Sequence, residues 1–170
     1  IAVHVDGAQL VGHQRLEPLA LGIDLLSLSG HKFYGPKGVG ALVVAPGTEL
    51  KPQLHGGGQE GGLRSGSIPL PLVVGLAEAL ERALADAPQR ALRLAALRER
   101  LWQGLHPLGG VVINGCLDQR LAHNLNVSVD GVDGARLHSA LRRRLALSGG
   151  SACSSSSGEP SHVLLALGRS

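Results

Sequence analysis

Three short apolar runs, each closed by a turn residue, constrain the fold of this chain more than any other feature of its sequence. The runs and the residues that close them are 1–5 with Asp6-Gly7, 23–28 with Ser29-Gly30, and 39–44 with Pro46-Gly47. Runs this short, with polar residues at their ends, are typical of buried strands in an α/β sheet. Ligands bind such sheets at the carboxyl ends of the strands. Asp6 and Lys32 lie just past two of these ends and are the first candidates for a functional site.

Helical periodicity begins after the glycine-rich segment 55–66. Apolar residues recur at steps of three and four over 73–84 and again over 94–105. This spacing predicts two helices, and Pro88 between them predicts a break in the chain direction.

The pattern after residue 108 is one of short alternating elements. Apolar and polar spacing predicts strands at 111–113 and 124–129, a helix over 133–145 capped by Asp133, and a helical start at 161–167. We therefore place a domain boundary near Leu108, between a first domain of residues 1–108 and a smaller α+β unit of residues 109–170.

Composition limits the core and the partners. Of the residues, 44% are apolar, but Phe33, Tyr34 and Trp102 are the only aromatic ones and Met is absent, so Leu, Ala and Val must fill the core. Nucleic-acid binders interleave basic and aromatic residues, whereas the net charge of +3 is dispersed here apart from one arginine run, 142–144. That run favours a solvated helix face, and we predict no nucleic-acid partner. No apolar stretch approaches the roughly 20 residues of a membrane span, so we predict no membrane either.

The cysteines and the ends of the chain carry further expectations. No charged and apolar leader opens the sequence, so Cys116 and Cys153 are expected to be free thiols in a cytoplasmic protein. The chain opens at Ile1 inside a strand-like run and closes at Ser170 directly after a helical pattern. Both ends therefore predict a polypeptide that continues on either side.

The strongest local signal is the segment 29–38, SGHKFYGPKG. A lysine in a tight glycine-flanked turn at a strand end can be partly desolvated, which favours the neutral amine that attacks an aldehyde. Ser29 and His31 could hold a phosphate beside it. The segment lacks the spacing of a nucleotide-binding phosphate loop. Taken alone, it is equally compatible with an ordinary basic turn.

Asp6-Gly7-Ala8-Gln9 favours the aldehyde hypothesis. A pyridoxal cofactor withdraws electrons well only while its ring nitrogen stays protonated, and a carboxylate partner maintains that proton. Asp6 lies at the end of a neighbouring strand, one βαβ unit before Lys32. Gln9 could then donate to the ring hydroxyl.

Five sequence blocks together resemble the cysteine desulfurases, pyridoxal-phosphate enzymes similar to class V aminotransferases. In order, the blocks are HVDGAQLVG, SGHKFYGPKGVGAL, HGGGQEGGLRSGS, HNLNVSV and SGGSACSSSSGEPSHVLLALG. They follow the order and spacing of the family and cover almost the whole chain. The resemblance implies an α/β fold: residues 1–108 form a fragment of the large-domain sheet of a fold-type I pyridoxal-phosphate enzyme. Residues 109–170 form an incomplete small domain that carries the catalytic cysteine loop.

The resemblance also implies a role for each matching residue. Lys32 is the lysine that binds the cofactor covalently, and Cys153 is the catalytic cysteine. The cofactor-binding positions are Asp6 at the ring nitrogen, Gln9 at the ring hydroxyl, Ser29 at the phosphate, Gly30, His31, Lys32 and Ser67, which reaches the phosphate of the other subunit's cofactor. Family members use pyridoxal 5'-phosphate, convert L-cysteine to L-alanine, form homodimers and pass sulfur to an acceptor such as an iron–sulfur scaffold protein.

The surroundings of Cys153 support its role independently of the family. A thiol that must reach a buried cofactor and then deliver sulfur needs an adaptable segment, and glycines and serines flank this one. A core cysteine would have apolar neighbours instead. Cys116 lacks such support, and we expect it to have no catalytic role.

Several alternatives remain open. A selenocysteine lyase or another class V pyridoxal-phosphate enzyme would use the same scaffold, and a non-catalytic truncated remnant would keep only its surfaces. The family's upstream half and its downstream carboxylate-binding arginine have no match here, so we expect the chain alone to be inactive, or weakly folded in its first half. The four histidines considered as metal ligands, His4, His13, His31 and His55, lack ligand spacing. We therefore predict no metal site.

Overall fold

The structure is a computed structural model that describes residues 1–150 and 161–169. The chain divides into two compact units, Ile1–Arg93 and Leu94–Ser170, and each is described by itself. Among the described residues, no helix has both the length and the apolar character to cross a bilayer.

The first unit contains a three-stranded sheet of β1 (His4–Asp6), β2 (Leu25–Ser29) and β3 (Gly40–Val44). β2 lies in the centre, parallel to β1 and antiparallel to β3. The three predicted strands are confirmed, although β1 begins three residues later than predicted, at His4. The α/β character of this unit is confirmed as well.

The prediction that all three strands are buried is wrong. Leu26 of β2 is 3% exposed, whereas most residues of β1 and β3 are exposed. The reason is position: β2 is flanked on both edges, while β1 and β3 are the outer strands of the sheet. Apolar runs indicate which segments are strands, but they do not indicate which strands lie inside.

The core of this unit is a small apolar cluster. Val11, Leu26, Phe33 and Ala83 are its buried members, and Leu28, Leu76 and Leu80 are among the partly buried residues packed against it. The buried members come from the turn after β1, from β2, from the segment after β2 and from a helix. The cluster therefore joins the two segments that carry the candidate site residues to one helix.

That helix, α1, runs without interruption over Leu70–Leu105 with Pro88 inside it. The prediction of two helices broken at Pro88 is therefore wrong. An interior proline removes one backbone hydrogen bond and crowds the carbonyl four residues before it. Strong helix formers on both sides outweigh this local cost. In the same stretch the Arg90 side chain donates to the carbonyl oxygen of Ala83 at 2.8 Å.

The second unit contains a hairpin-like pair, β4 (Val111–Ile113) and β5 (Val127–Val129), which run antiparallel. Two helices follow, α2 (Gly134–Leu141) and α3 (His162–Ala166). Asp133 caps α2 by accepting a hydrogen bond from the Arg136 N–H at 3.0 Å, as predicted. The helix ends four residues earlier than expected. The domain boundary near Leu108 stays a prediction, since the compact units divide at Arg93.

Candidate functional site

The turn after β1 fixes the backbone around Asp6. The Asp6 carboxylate accepts a hydrogen bond from the Ala8 N–H at 2.9 Å, and the Gly7 N–H donates to the Ser27 carbonyl at 2.8 Å. The second bond ties the turn to β2. The first bond occupies one carboxylate oxygen, Oδ1. Asp6 and Gln9 are both exposed, so their polar groups are accessible from solvent.

Lys32 lies in a single 3-10 turn, Gly30–Phe33, that begins where β2 ends. Gly30 bonds through its N–H to the Val39 carbonyl at 3.0 Å and through its carbonyl to the Gly35 N–H at 2.9 Å. The turn ends at Tyr34, whose φ of 68° is a left-handed conformation that few residues other than glycine adopt. These bonds hold the backbone of Lys32 in a defined place.

Packing of the backbone explains why position 30 is a glycine. It is buried, and a Cβ there would lie 3.1 Å from the Pro36 carbonyl oxygen and 3.2 Å from that of Val39. The close approach of these backbone segments explains the glycine without a ligand. Its contact with a cofactor stays a prediction.

The turn does not desolvate Lys32 as expected. Phe33 is 2% exposed and points into the core, but Lys32 is exposed. Glycines at both sides of the turn provide no side chains to cover the amine. Within the described residues the amine is therefore open to a ligand rather than enclosed by protein.

Ser29 and His31 form a pair beside the lysine. Their side chains share a hydrogen bond of 2.9 Å between Oγ and Nδ1. This bond leaves the Nε2 atom of the imidazole as a second polar group on the same turn. Whichever group donates within the pair, one proton remains, on Nε2 or on the hydroxyl, that can be donated to an anionic oxygen.

The strand register brings these groups to one edge of the sheet. β1 and β2 are parallel neighbours with Asp6 opposite Ser27, so Ser29 follows on the same face two residues later. Neighbouring strands lie about 4.8 Å apart. Asp6, Ser29 and the turn of Lys32 therefore all lie at the carboxyl ends of two adjacent strands.

The loop that precedes Ser67 is stabilised by hydrogen bonds between its own residues. The Gln59 carbonyl oxygen Oε1 accepts from the Gly66 N–H at 2.9 Å, and Leu54 forms an isolated bridge with Arg64. Glu60 adopts a φ of 55° in this loop. Ser67 itself is exposed. Its predicted role, which involves a second subunit, is not tested by this arrangement and stays a prediction.

Cys153 lies outside the described residues. In the segment before it, His138 Nε2 and the Leu147 carbonyl oxygen share a hydrogen bond of 3.1 Å. The helix after it, α3, is capped by Ser161. Cys116 is an exposed free thiol.

Sequence reasoning missed a polar network in the second unit. Asn114 is buried, and its side-chain amide donates to Asn126 at 2.6 Å and to Ser128 at 3.0 Å while its carbonyl oxygen accepts from Arg169 at 3.0 Å. Arg120 donates to the Asn114 backbone carbonyl at 2.8 Å. The available signal was an asparagine that directly follows a strand. Arg90, in the first unit, was also missed.

The described part of the chain contains no group of three or more His, Cys, Asp or Glu residues placed to hold a metal ion. The polar groups at the sheet edge are instead an amine, a carboxylate and a hydroxyl–imidazole pair. This set can bind an aldehyde, a cationic ring nitrogen and an anion.

Comparison with known proteins identifies close relatives. The cysteine desulfurase IscS of Aeromonas hydrophila is 50% identical over 170 residues, which are 99% of this chain and 42% of that protein. A solved NifS-like protein superposes with a TM-score of 0.82 at 37% identity over 99% of this chain and 43% of its own. The structure of SspA in complex with cysteine has a TM-score of 0.73 at 40% identity, over 100% of this chain and 47% of its own.

The chain thus spans less than half the length of each of these relatives. The family model for aminotransferase class V matches residues 1–170, the whole chain. The described fold, mixed α/β, is that of the NifS-like structure. We conclude that this chain belongs to the aminotransferase class-V family.

Proposed function

We propose that the protein containing this chain is a cysteine desulfurase that converts L-cysteine to L-alanine and leaves a persulfide on Cys153. The observation that carries the proposal is the shared edge of β1 and β2, where Asp6, Ser29 and the Lys32 turn lie together. Relatives named cysteine desulfurase, and SspA bound to cysteine, support the choice of substrate.

The groups at this edge fit pyridoxal 5'-phosphate. Asp6 would hold the ring nitrogen protonated, Gln9 would donate to the ring hydroxyl, and Lys32 would bind the aldehyde carbon. The hydrogen-bonded pair of Ser29 and His31 would hold the phosphate. When bound, the cofactor supplies an electron sink that acidifies the hydrogen on the substrate Cα.

The remaining steps belong to the side chains of the protein. The Lys32 amine would take the proton from the substrate Cα and return protons to carbon. The Asp6 carboxylate would stabilise the positive charge on the ring nitrogen. The hydrogen bond from the Ala8 N–H at 2.9 Å fixes the orientation of this carboxylate.

Cys153 performs the sulfur transfer. Its thiolate attacks the substrate sulfur, and the new S–S bond uses the electron pair of the thiolate. The bond between the substrate Cβ and sulfur breaks, and its electron pair stays with the carbon skeleton, which takes up a proton to become alanine. The enzyme thiol becomes a persulfide, so the conversion needs no external oxidant.

The organisation of the whole protein is part of the proposal. Residues 1–108 would belong to the cofactor-binding large domain and residues 109–170 to the smaller domain. We propose a homodimer, because Ser67 is exposed and matches the family position that serves the partner's phosphate. A protein acceptor, such as an iron–sulfur scaffold, would take the persulfide sulfur. The exposed free thiol of Cys116 supports a reducing, cytoplasmic compartment.

The experiment uses the native gene product with pyridoxal 5'-phosphate and L-cysteine, and it measures alanine and the mass of the Cys153 peptide. The wild-type protein should release alanine and gain one sulfur atom at Cys153. Lys32→Ala should abolish both signals, because the amine that binds the cofactor and moves the proton is lost. Cys153→Ser should lose the added sulfur and nearly all turnover.

Lys37→Ala and Cys116→Ser serve as matched controls, since each removes the same functional group at a neighbouring or exposed position. Both controls should keep activity. Alanine release that survives in Lys32→Ala would contradict the proposal. Selenocysteine offered in place of cysteine tests the lyase alternative: a strong preference for it would reassign the substrate.

A further inference from the structure

Arg90 connects α1 to the turn that follows β1. Its Nη2 atom donates to the Gly12 carbonyl and, at 2.8 Å, to the Ala83 carbonyl. The residue is half-buried, and 78 positions separate it from Gly12 in sequence. A guanidinium that serves two backbone carbonyls in a partly buried place makes stronger hydrogen bonds than a neutral donor would.

Gly12 is the point where three segments meet. Its φ of +84° is left-handed, and a Cβ there would lie 2.6 Å from the Phe33 Cβ and 3.4 Å from the Ala83 Cβ. Only glycine permits this approach, because any larger residue would collide with Phe33 and strain the backbone. The carbonyl that Arg90 binds therefore belongs to a residue that packs directly against Phe33.

The two turns carry the proposed cofactor ligands. The turn of residues 7–12 begins directly after Asp6 and includes Gln9, with the Val11 N–H bonded to the Gly7 carbonyl at 2.9 Å. Phe33 directly follows Lys32 and is 2% exposed, so it cannot move without its core neighbours. A shift of Gly12 against Phe33 would therefore change the spacing between Gln9 and Lys32.

We propose that Arg90 is a positioning residue for the cofactor: it fixes the distance between the Asp6–Gln9 turn and the Lys32 turn. The inference rests on the proposed function, since it assigns a purpose to the spacing of residues that would hold pyridoxal phosphate. Arg90 itself does not touch the ring in this account. It acts through the Gly12 carbonyl, because the position of Gly12 determines the position of Gln9 in the same turn.

The test compares Arg90→Ala with Arg93→Ala in the native gene product. Arg93 lies less than one helical turn further along α1 and is exposed, and its side chain makes no hydrogen bond or ion pair among the described residues. Arg90→Ala should weaken pyridoxal-phosphate binding about tenfold, the scale expected for loss of charged hydrogen bonds. It should also change the visible circular dichroism of the bound cofactor, which reports ring orientation. Arg93→Ala should change neither.

Hydrogen exchange in the cofactor-free protein gives a readout independent of activity. Amides of residues 7–13 should exchange faster in Arg90→Ala than in wild type, while those of β3 stay unchanged. Arg90→Lys covers the case in which the alanine variant does not fold. Both bonds come from one nitrogen, Nη2. A lysine keeps the charge and a terminal nitrogen donor, but its side chain is one bond shorter, so intermediate affinity is expected.

The outcomes separate the two proposals. A wild-type protein that binds no cofactor at Lys32 would overturn the proposed function and this inference together. A wild-type protein that binds it, with an Arg90→Ala variant of lower melting temperature but unchanged affinity and circular dichroism, would overturn the positioning role alone. Affinity and circular dichroism that change together in Arg90→Ala and recover partly in Arg90→Lys would support it.

Discussion

The two units of the molecule are built around different kinds of interior. In Ile1–Arg93 the buried side chains are apolar: Val11, Leu26, Phe33, Ala83 and Ala87. In the described part of the second unit, the buried residue is Asn114, 6% exposed, and its hydrogen bonds link β4, β5 and the segment after α3.

The two interiors differ in how strictly their stabilising interactions depend on distance and angle. Apolar contacts are not directional, so the first unit can tolerate small shifts as long as its volume stays filled. A buried amide needs each of its partners at the right distance and angle, because an unpaired polar group inside a protein is costly. The stability of the first unit should therefore fall when buried side-chain volume is removed. The stability of the second unit should fall when a hydrogen-bond partner is removed.

The largest effect is expected from Phe33→Ala. Removing a buried phenylalanine side chain leaves a cavity and costs about 3–5 kcal/mol of the free energy of unfolding. Chemical denaturation, with hydrogen exchange in β2 as a local readout, measures the loss. Leu42→Ala is the control, because Leu42 is an apolar residue on the same sheet that is 45% exposed. Equal losses in the two variants would show that the cluster is not the core of this unit.

A smaller effect is expected from Asn114→Ala. The substitution leaves Asn126, Ser128 and Arg169 each without one partner, at a cost of about 1–3 kcal/mol. Hydrogen exchange of β4 and β5 reports the loss locally. Val112→Ala tests whether the two units differ in this way. If it destabilises the β4–β5 pair more than Asn114→Ala does, apolar packing dominates in both units.

The smallest effect concerns Asp133 at the start of α2. Asp133→Ala removes the cap on the Arg136 N–H and should cost about 1 kcal/mol, visible as faster exchange in the first turn of the helix. Asp133→Asn keeps an acceptor oxygen and should be close to wild type. This cap lies on the surface, so its removal measures the effect of one hydrogen bond without any change in buried area. It therefore separates the contribution of hydrogen bonding from that of burial. An Asp133→Asn variant as unstable as Asp133→Ala would point to charge rather than the hydrogen bond.

Much of this arrangement follows from local sequence. Local patterns predict the strands and the Asp133 cap, and they place Asp6 and Lys32 each just past the end of a strand. Each of these features depends on residues within a few positions, so it is visible in the sequence. Pro88 shows the limit: its local preference predicted a break, but the surrounding helix formers outweigh it.

The features that were missed depend on distant partners. The Gly12 carbonyl is 78 positions from Arg90, and Arg169 is 55 positions from Asn114. No spacing rule connects such residues before the chain has folded. Likewise, the exposure of Lys32 depends on which segments cover the turn, and its own sequence segment does not contain that information.

The outer positions of β1 and β3 have a consequence for handling these 170 residues as a separate polypeptide. Within the described residues, each has one edge without a neighbouring strand, and β3 presents Leu42 and Val43 at 45% and 43% exposure. Apolar strands with free edges are templates for self-association. An isolated preparation should therefore aggregate as its concentration rises, and a lysine at position 42 or 43 is the first change to try for keeping it in solution.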